Sequence, residues 1–203
     1  VTERIYTFAG VLAGRMSGGL AQVNVLVSTL MGGLSGSALA DAAMDAKMLV
    51  PQMEKQGYSK AFSSVVSSSS AIITPLIPPG IGLIVYGCVT NISIGKLFVA
   101  GFGPGFLLCA MMMVLVSRIS KKRGYLPIRT RRLSSQEFIK AAKPAILPLC
   151  LPIIIIGGVR IGLFTATESG AVAIAYAILL GLIYKELKPK HFAESLKETA
   201  VST

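Results

Sequence analysis

The sequence has few charged residues and no tryptophan. Asp, Glu, Lys and Arg together make up 14% of the 203 residues, whereas a soluble domain carries about 25%. Hydrophobic residues make up 53% of the chain. This shortage of charge excludes an ordinary soluble domain and predicts an all-α polytopic membrane protein.

Acidic residues are scarcer than basic ones, with 9 Asp and Glu against 20 Lys and Arg. On a soluble protein such an excess of positive charge would indicate a nucleic-acid partner. Here the basic residues lie in polar connectors between apolar runs, which fits anionic lipid head groups and the positive-inside rule. The predicted partner of these residues is therefore the lipid bilayer, and no nucleic acid is expected.

Histidine and cysteine are also rare, which limits the chemistry that the chain could perform. The sequence Gly-Leu-Ser-Gly at 33–36 matches the pattern around the nucleophile of rhomboid intramembrane proteases, which need a histidine base at the same depth. His191 is the one histidine of the chain and lies in a polar tail. Three cysteines in or beside apolar runs do not form a disulfide framework. No enzymatic activity is predicted.

Long uninterrupted apolar runs are scarce as well. Residues 97–116 form one run of about 20 residues, the length of a helix that crosses a bilayer. Two other apolar regions are broken, by MGGLSGS at 31–37 and by PLIPPG at 75–80. Three prolines within five residues cannot continue a helix, because each lacks an N–H donor and clashes with the preceding turn. Irregular backbone is tolerated at membrane depth only where it lines a cavity or faces protein. The two breaks therefore predict an enclosed polar site.

The distribution of basic residues predicts the topology. Segment 121–132, KKRGYLPIRTRR, is strongly basic and is placed in the cytoplasm. Counting spans backwards from it puts both ends of segment 19–56 on the cytoplasmic side, so this segment is predicted to enter the membrane and return. The predicted segments are an interfacial amphipathic arm helix (1–18), a re-entrant helical hairpin (19–56), a broken transmembrane helix (57–92), a transmembrane helix (93–120), a basic cytoplasmic connector (121–143), two transmembrane helices (144–185) and a further amphipathic segment (186–203).

The two breaks supply candidate ligands for a sodium ion. A glycine-rich turn between half-helices frees backbone carbonyls, and free carbonyls together with serine hydroxyls suit a hard cation. The predicted sodium ligands are Ser35, Gly36, Ser37, Thr74, Pro75, Ile77 and Pro78. A helix that begins near Ser37 would also present its positive end to a substrate carboxylate. The alternative is that Ser35 or Ser37 simply caps the second half-helix.

Two carboxylates follow the first break at helical spacing. Asp41 lies one turn after Ser37 and shares its helix face, and a carboxylate at membrane depth is costly and usually functional. Ser37 and Asp41 are therefore predicted to bind substrate, and roles for Asp41 as a sodium ligand or as a hydrogen-bond partner of the turn remain open. Asp45, close to Lys47, is interpreted as interfacial and solvated.

Three segments in this order and spacing carry a family resemblance: GGLSGSALADAA, QGYSKAFSSVVSSSSAIITPLIPPGIGLIVYG and GLFTATESGAVAIAYA. They resemble the large membrane subunit of tripartite ATP-independent periplasmic (TRAP) transporters, over nearly the whole chain. The resemblance implies an elevator-type secondary transporter of the bacterial inner membrane that is driven by sodium and takes up organic acids. It also implies two partners, a small membrane subunit and a periplasmic substrate-binding protein.

The resemblance also sets finer expectations. The chain would cover the first of two inverted repeats, the following spans and the start of a second arm at 186–203. The substrate would be sialic acid or a C4-dicarboxylate, with the sialic acid branch favoured. Gly80 departs from the family pattern, in which a serine is expected after the two prolines. Alternatives are a sodium-coupled organic anion transporter of a related elevator family without a binding protein, a channel, and a membrane scaffold without transport.

Overall fold

The computed structural model describes residues 2–129, 134–165 and 168–184. Within these ranges the fold is all-α, as predicted, with nine α-helices and one 3₁₀ segment. In chain order they are α1 (Thr2–Ala13), α2 (Gly19–Ser35), α3 (Ala38–Met48), α4 (Val50–Lys55), α5 (Lys60–Ser70), the 3₁₀ segment (Ala71–Leu76), α6 (Ile81–Thr90), α7 (Ile94–Arg123), α8 (Ser135–Ile161) and α9 (Glu168–Ile183). The amphipathic segment predicted at 186–203, which includes His191, lies outside the described residues.

Helix α1, the predicted arm, packs lengthwise against α2. Its contact residues recur every four positions, which places them on one face of the helix. They are Ile5, Ala9 and Ala13, and they form a buried cluster with Val23, Val27 and Met31 of α2. Alanine at two of the three positions leaves room for the helices to approach closely. Helix α1 therefore covers one side of the predicted hairpin.

The break between α2 and α3 is shorter than the sequence suggests. Helix α2 continues through the glycine pair 32–33 and ends at Ser35, and Gly36 closes it with a left-handed conformation at φ 58°. Ser37 is the N-cap of α3, and its hydroxyl accepts a hydrogen bond from the Ala40 N–H at 3.4 Å. Only two residues separate the helices, because an αL glycine and a capping serine suffice to reverse the chain.

The second broken element has the predicted form. Helix α5 tightens into the 3₁₀ segment, which contains Pro75, and the chain is then extended at Ile77 before α6 starts after Gly80. The peptide bond between Pro78 and Pro79 is cis. The two helical parts are bent by 41° relative to each other. By length and composition, this pair is compatible with one broken membrane span or with a re-entrant loop.

Two unbroken helices, α7 and α8, are long and apolar enough to cross a membrane. Helix α7 ends in Lys121, Lys122 and Arg123, where positive charge is favourable at the negative end of the helix dipole. Helix α8 begins at Ser135 with a capping box that Ser134 and Glu137 form. The predicted basic connector is therefore partly helical at both ends. Helix α9, with 16 residues, is shorter than a full span.

Helix α8 contains three prolines at four-residue spacing, Pro144, Pro148 and Pro152. Each lacks the N–H that would bond the carbonyl four residues earlier. The Pro144 carbonyl, which Pro148 leaves without its helical donor, accepts a hydrogen bond from the Tyr184 hydroxyl at 3.0 Å. A side chain from the end of α9 therefore replaces one missing backbone bond of α8.

Candidate functional site at the junction of two helix breaks

The two breaks lie directly against each other. A Cβ added to Gly36 would lie 2.7 Å from the Pro79 carbonyl oxygen and 3.4 Å from the Gly80 Cα. A Cβ added to Gly32 would lie 2.9 Å from the Thr74 carbonyl oxygen. Any side chain at either glycine would therefore push the breaks apart. The glycines of the first break allow the backbone of the second to approach within van der Waals distance.

Backbone carbonyls of the second break face the end of α2. The Thr74 carbonyl lies near Gly32, the Pro78 carbonyl near Gly33, and the Pro79 carbonyl near Gly36. Carbonyl oxygens gathered at one helix end suit a hard cation. Pro79 is absent from the predicted ligand set, although the double proline in the sequence was a signal that its carbonyl would lie at the break.

The two serines of the turn make local hydrogen bonds. The Ser35 hydroxyl donates to the Met31 carbonyl at 3.3 Å, one turn earlier in α2. The Ser37 hydroxyl caps α3, so the capping role that the sequence left open for Ser37 is observed. Both oxygens retain lone pairs that could accept a further partner.

The Thr74 side chain points to Asp41 rather than to the turn. Thr74 is fully buried, and its hydroxyl lies 2.8 Å from Asp41 Oδ2 and 3.2 Å from the Ser28 carbonyl oxygen. Asp41 is 1% exposed. Helix α3 and the second break are thus joined by a buried hydroxyl–carboxylate contact one turn below the junction.

Asp41 has one carboxylate oxygen without a partner. Among the described residues, nothing donates a hydrogen bond to the buried Oδ1 atom, and no ion pair to Asp41 forms. A buried carboxylate oxygen without a donor is costly. The position is therefore suited to an added cation or an added hydrogen-bond donor.

The interpretation of Asp45 as a solvated, interfacial residue is wrong. Asp45 is 0% exposed, because it lies between Tyr6 of α1 and Ser28 of α2, while α5 and the 3₁₀ segment pack against α3. The Tyr6 hydroxyl of α1 donates to Asp45 Oδ1 at 2.9 Å, and Ser28 Oγ of α2 lies 3.2 Å from Oδ2. Lys47, which suggested the interface, is exposed and faces away.

A chain of buried polar side chains continues from Asp45 into α5. Ser28 Oγ lies 3.1 Å from Ser70 Oγ, and Ser70 Oγ lies 2.6 Å from Asn24 Oδ1. The Asn24 amide donates to Ser67 Oγ at 2.7 Å. Sequence reasoning missed Asn24 and Ser28. Their spacing of four residues in an apolar half-helix was the available signal, because it places both on one face of α2.

The arrangement combines two interrupted helices, a carbonyl-lined junction and buried carboxylates within an apolar helical fold. These features are typical of the class of membrane transport proteins that bind ions and substrates at discontinuous helices.

The whole chain, residues 1–203, matches the family model described as "Tripartite ATP-independent periplasmic transporter, DctM component". The chain belongs to this family, so the resemblance inferred from the sequence is confirmed. Since the family is a transporter component, the prediction that the chain is not an enzyme is also confirmed.

Several curated relatives support the same assignment. The chain is 44% identical over its full length to the sialic acid TRAP transporter large permease protein SiaM of Vibrio cholerae, and covers 47% of that protein. It is 42% identical over its full length to the sialic acid TRAP transporter permease protein SiaT of Haemophilus influenzae, and covers 33% of it. The C4-dicarboxylate TRAP transporter large permease protein DctM of Pseudomonas aeruginosa is 40% identical over 61% of this chain and 30% of the relative. The chain thus spans about half, or less, of these relatives.

Proposed function

We propose that this chain forms the first half of the ion- and substrate-binding core of a sodium-driven secondary transporter, which takes up an organic acid across the bacterial inner membrane. A periplasmic binding protein delivers the substrate, and a small membrane subunit completes the membrane part. Helices α2 and α3 form a re-entrant hairpin that moves with the broken helix as an elevator. The observation that carries the proposal is the carbonyl-lined junction of the two breaks, one turn from Asp41.

Sodium binds at this junction in the proposal. Carbonyl oxygens of the second break face the end of α2 at Gly32, Gly33 and Gly36, and Ser35 and Ser37 bring hydroxyl oxygens with free lone pairs to the same place. Sodium is a hard cation that binds oxygen ligands, and backbone carbonyls at interrupted helices are typical ligands of this kind. Asp41 lies one helical turn from Ser37, and its charge and its Oδ1, unpartnered among the described residues, attract a cation to this part of the site.

The organic acid binds on the open side of the same junction. Helix α3 begins at Ser37, and its N-terminal amides offer a partial positive charge to a carboxylate. Bound sodium adds a full positive charge close by. We propose sialic acid as the substrate, because two relatives that match the full chain carry sialic acid in their names. The C4-dicarboxylate relative matches a smaller part of the chain.

Uptake into proteoliposomes tests the proposal. The full-length large subunit is reconstituted with its small subunit, and labelled sialic acid is supplied on candidate binding proteins with and without an inward sodium gradient. Uptake that needs both the gradient and one binding protein supports the proposal. Equal uptake without sodium, or without any binding protein, contradicts it.

A pair of serine variants tests the sodium site itself. Ser35 and Ser68 both donate to the carbonyl four residues earlier, but Ser35 lies at the junction and Ser68 is exposed on α5. Ser35→Ala should raise the sodium concentration for half-maximal uptake several-fold, whereas Ser68→Ala should not change it. The same sodium dependence in both variants would remove Ser35 from the site.

Cysteine labelling tests the re-entrant topology. Cysteines introduced at Lys55 and Lys122 should react with a membrane-impermeant reagent only from the cytoplasmic side. Labelling of either position from the outside of intact cells would contradict the predicted orientation, on which the re-entrant hairpin at 19–56 depends.

A further inference from the structure

The buried carboxylates of α3 carry an inference that does not depend on sodium coupling. Asp41 and Asp45 are one helical turn apart, and both are at most 1% exposed. No ion pair to either forms within the described part of the chain. Two adjacent buried carboxylates are unfavourable when both are ionised, because burial and mutual repulsion each penalise the charge. At least one of them must therefore bind a cation or a proton.

The side chains in contact with the Asp45 carboxyl group are neutral. This carboxyl group contacts Tyr6 of α1 and Ser28 of α2, while Asn24, Ser70 and Thr74 follow as the next polar side chains. The nearby titratable side chains are Tyr6 on α1 and Asp41 on α3 itself. On α1, Glu3 is exposed and the half-buried Arg4 lies over the ring of Tyr184. The charged side chains of the other neighbouring helices are exposed: Lys47 on α3, Glu54 and Lys55 on α4, and Lys60 on α5.

A count of hydrogens along the polar chain points to the same residue. Three contacts join Asp45 to Ser28, Ser28 to Ser70 and Ser70 to the amide oxygen of Asn24. An ionised Asp45 and an amide oxygen only accept hydrogen bonds. The two serine hydroxyls then supply two hydrogens for three contacts, so one contact between buried oxygens is left without a hydrogen.

We propose that the carboxyl group of Asp45 is a proton-binding site, with the proton on Oδ2. The proton is donated to Ser28 Oγ, the Ser28 hydroxyl donates to Ser70 Oγ, and the Ser70 hydroxyl donates to Asn24 Oδ1. Tyr6 donates to the other carboxyl oxygen. Each of these four contacts then has one hydrogen, and a continuous chain joins α1, the hairpin and the broken helix.

One alternative arrangement leaves Asp45 ionised. If the Asn24 side-chain amide is rotated by 180°, its nitrogen and oxygen exchange places and the nitrogen donates to Ser70. The Ser70 hydroxyl then donates to Ser28, and the Ser28 hydroxyl donates to Asp45. Of the two contacts of the Asn24 amide, the one to Ser70 is the shorter, at 2.6 Å against 2.7 Å to Ser67, and the shorter contact is assigned to the hydroxyl donor. The experiment below separates the two arrangements.

Infrared spectroscopy of the full-length large subunit, assembled with its small subunit, tests the proposal directly. A protonated carboxyl group has a C=O stretching band that a carboxylate lacks. We expect this band in the wild type at neutral pH and its loss in Asp45→Asn, which keeps one donor and one acceptor at the site. The control Glu54→Gln replaces an exposed carboxylate and should leave the band unchanged. An identical band in the wild type and Asp45→Asn at neutral pH would overturn the proposal.

Tyr6→Phe gives a second test that retains Asp45. A hydrogen bond to a carboxylate stabilises its ionised form, so removal of the tyrosine hydroxyl should raise the proton affinity of Asp45 by about tenfold. In a pH titration, the disappearance of the band would move to higher pH by a matching amount. A titration that coincides with that of the wild type overturns the proposal, even if Asp45→Asn fails to assemble.

Discussion

Replacing Gly36 by alanine tests whether the close approach of the two breaks is a requirement of the fold. Gly36 has a φ of 58°, which costs an L-residue about 1–2 kcal/mol. The added Cβ would also lie 2.7 Å from the Pro79 carbonyl oxygen, and overpacking of this kind costs about 1–3 kcal/mol. The free energy of unfolding should therefore fall by about 2–5 kcal/mol.

Gly57→Ala is the matched control, because Gly57 has a φ of 85° and no atom within 4 Å of an added Cβ. It should lose only the conformational contribution of about 1–2 kcal/mol. The assay is reversible unfolding of the full-length protein in mixed micelles, together with initial uptake rates. We expect Gly36→Ala to lose more stability than Gly57→Ala, and to lose uptake. If the two variants lose the same free energy, the breaks do not need to touch as described.

Three further predictions concern the buried polar residues. Thr74→Val should lower the free energy of unfolding by about 1–3 kcal/mol, because it removes the hydroxyl that donates to Asp41. Thr74→Ser keeps this hydroxyl and should lower the free energy of unfolding much less. Equal losses in the two variants would contradict a stabilising role for the Thr74 hydroxyl. Asp41→Asn should nearly abolish uptake at saturating sodium without loss of assembly with the small subunit, and near wild-type uptake rates would make Asp41 a structural residue. Gln22→Met should change the free energy of unfolding by less than about 1.5 kcal/mol, because Gln22 Oε1 already lacks a partner. A larger loss in the same unfolding assay would show that the hydrogen bond from Gln22 to the Met113 carbonyl is important.

The positions of the helix breaks could be predicted because proline and glycine act locally. The double proline at 78–79 removes two consecutive N–H donors, which strongly disfavours a continuous helix, and the observed bend lies there. The glycine pair 32–33 was a less reliable signal, since glycine lowers helix stability without forbidding a helix. Those two glycines remain helical because their missing side chains make room for the second break, which is a tertiary contact that no local pattern contains.

The burial of Asp45 could not be predicted from its neighbours in the sequence. Lys47 suggested an interfacial position, but Asp45 is enclosed by contacts from other helices, including Tyr6 of α1, which is more than thirty residues away along the chain. The Tyr6–Asp45 contact depends on how α1 is placed along α2, which is a tertiary arrangement that neither helix sequence contains. The apolar class of the protein followed from composition alone, whereas the pairing of particular polar residues required the fold.

The prolines of α8 give this helix a direction in which it bends most easily. Positions 144, 148 and 152 lie within about 40° to 80° of one another around the helix axis, so the absent backbone hydrogen bonds fall on one side. A helix that lacks backbone hydrogen bonds along one side bends most easily in the plane that contains that side and the helix axis. Pro152 lies against Gly33, next to the junction of the breaks. Displacement of the hairpin towards α8 would therefore be absorbed by elastic bending of α8, and its two ends could stay where they are.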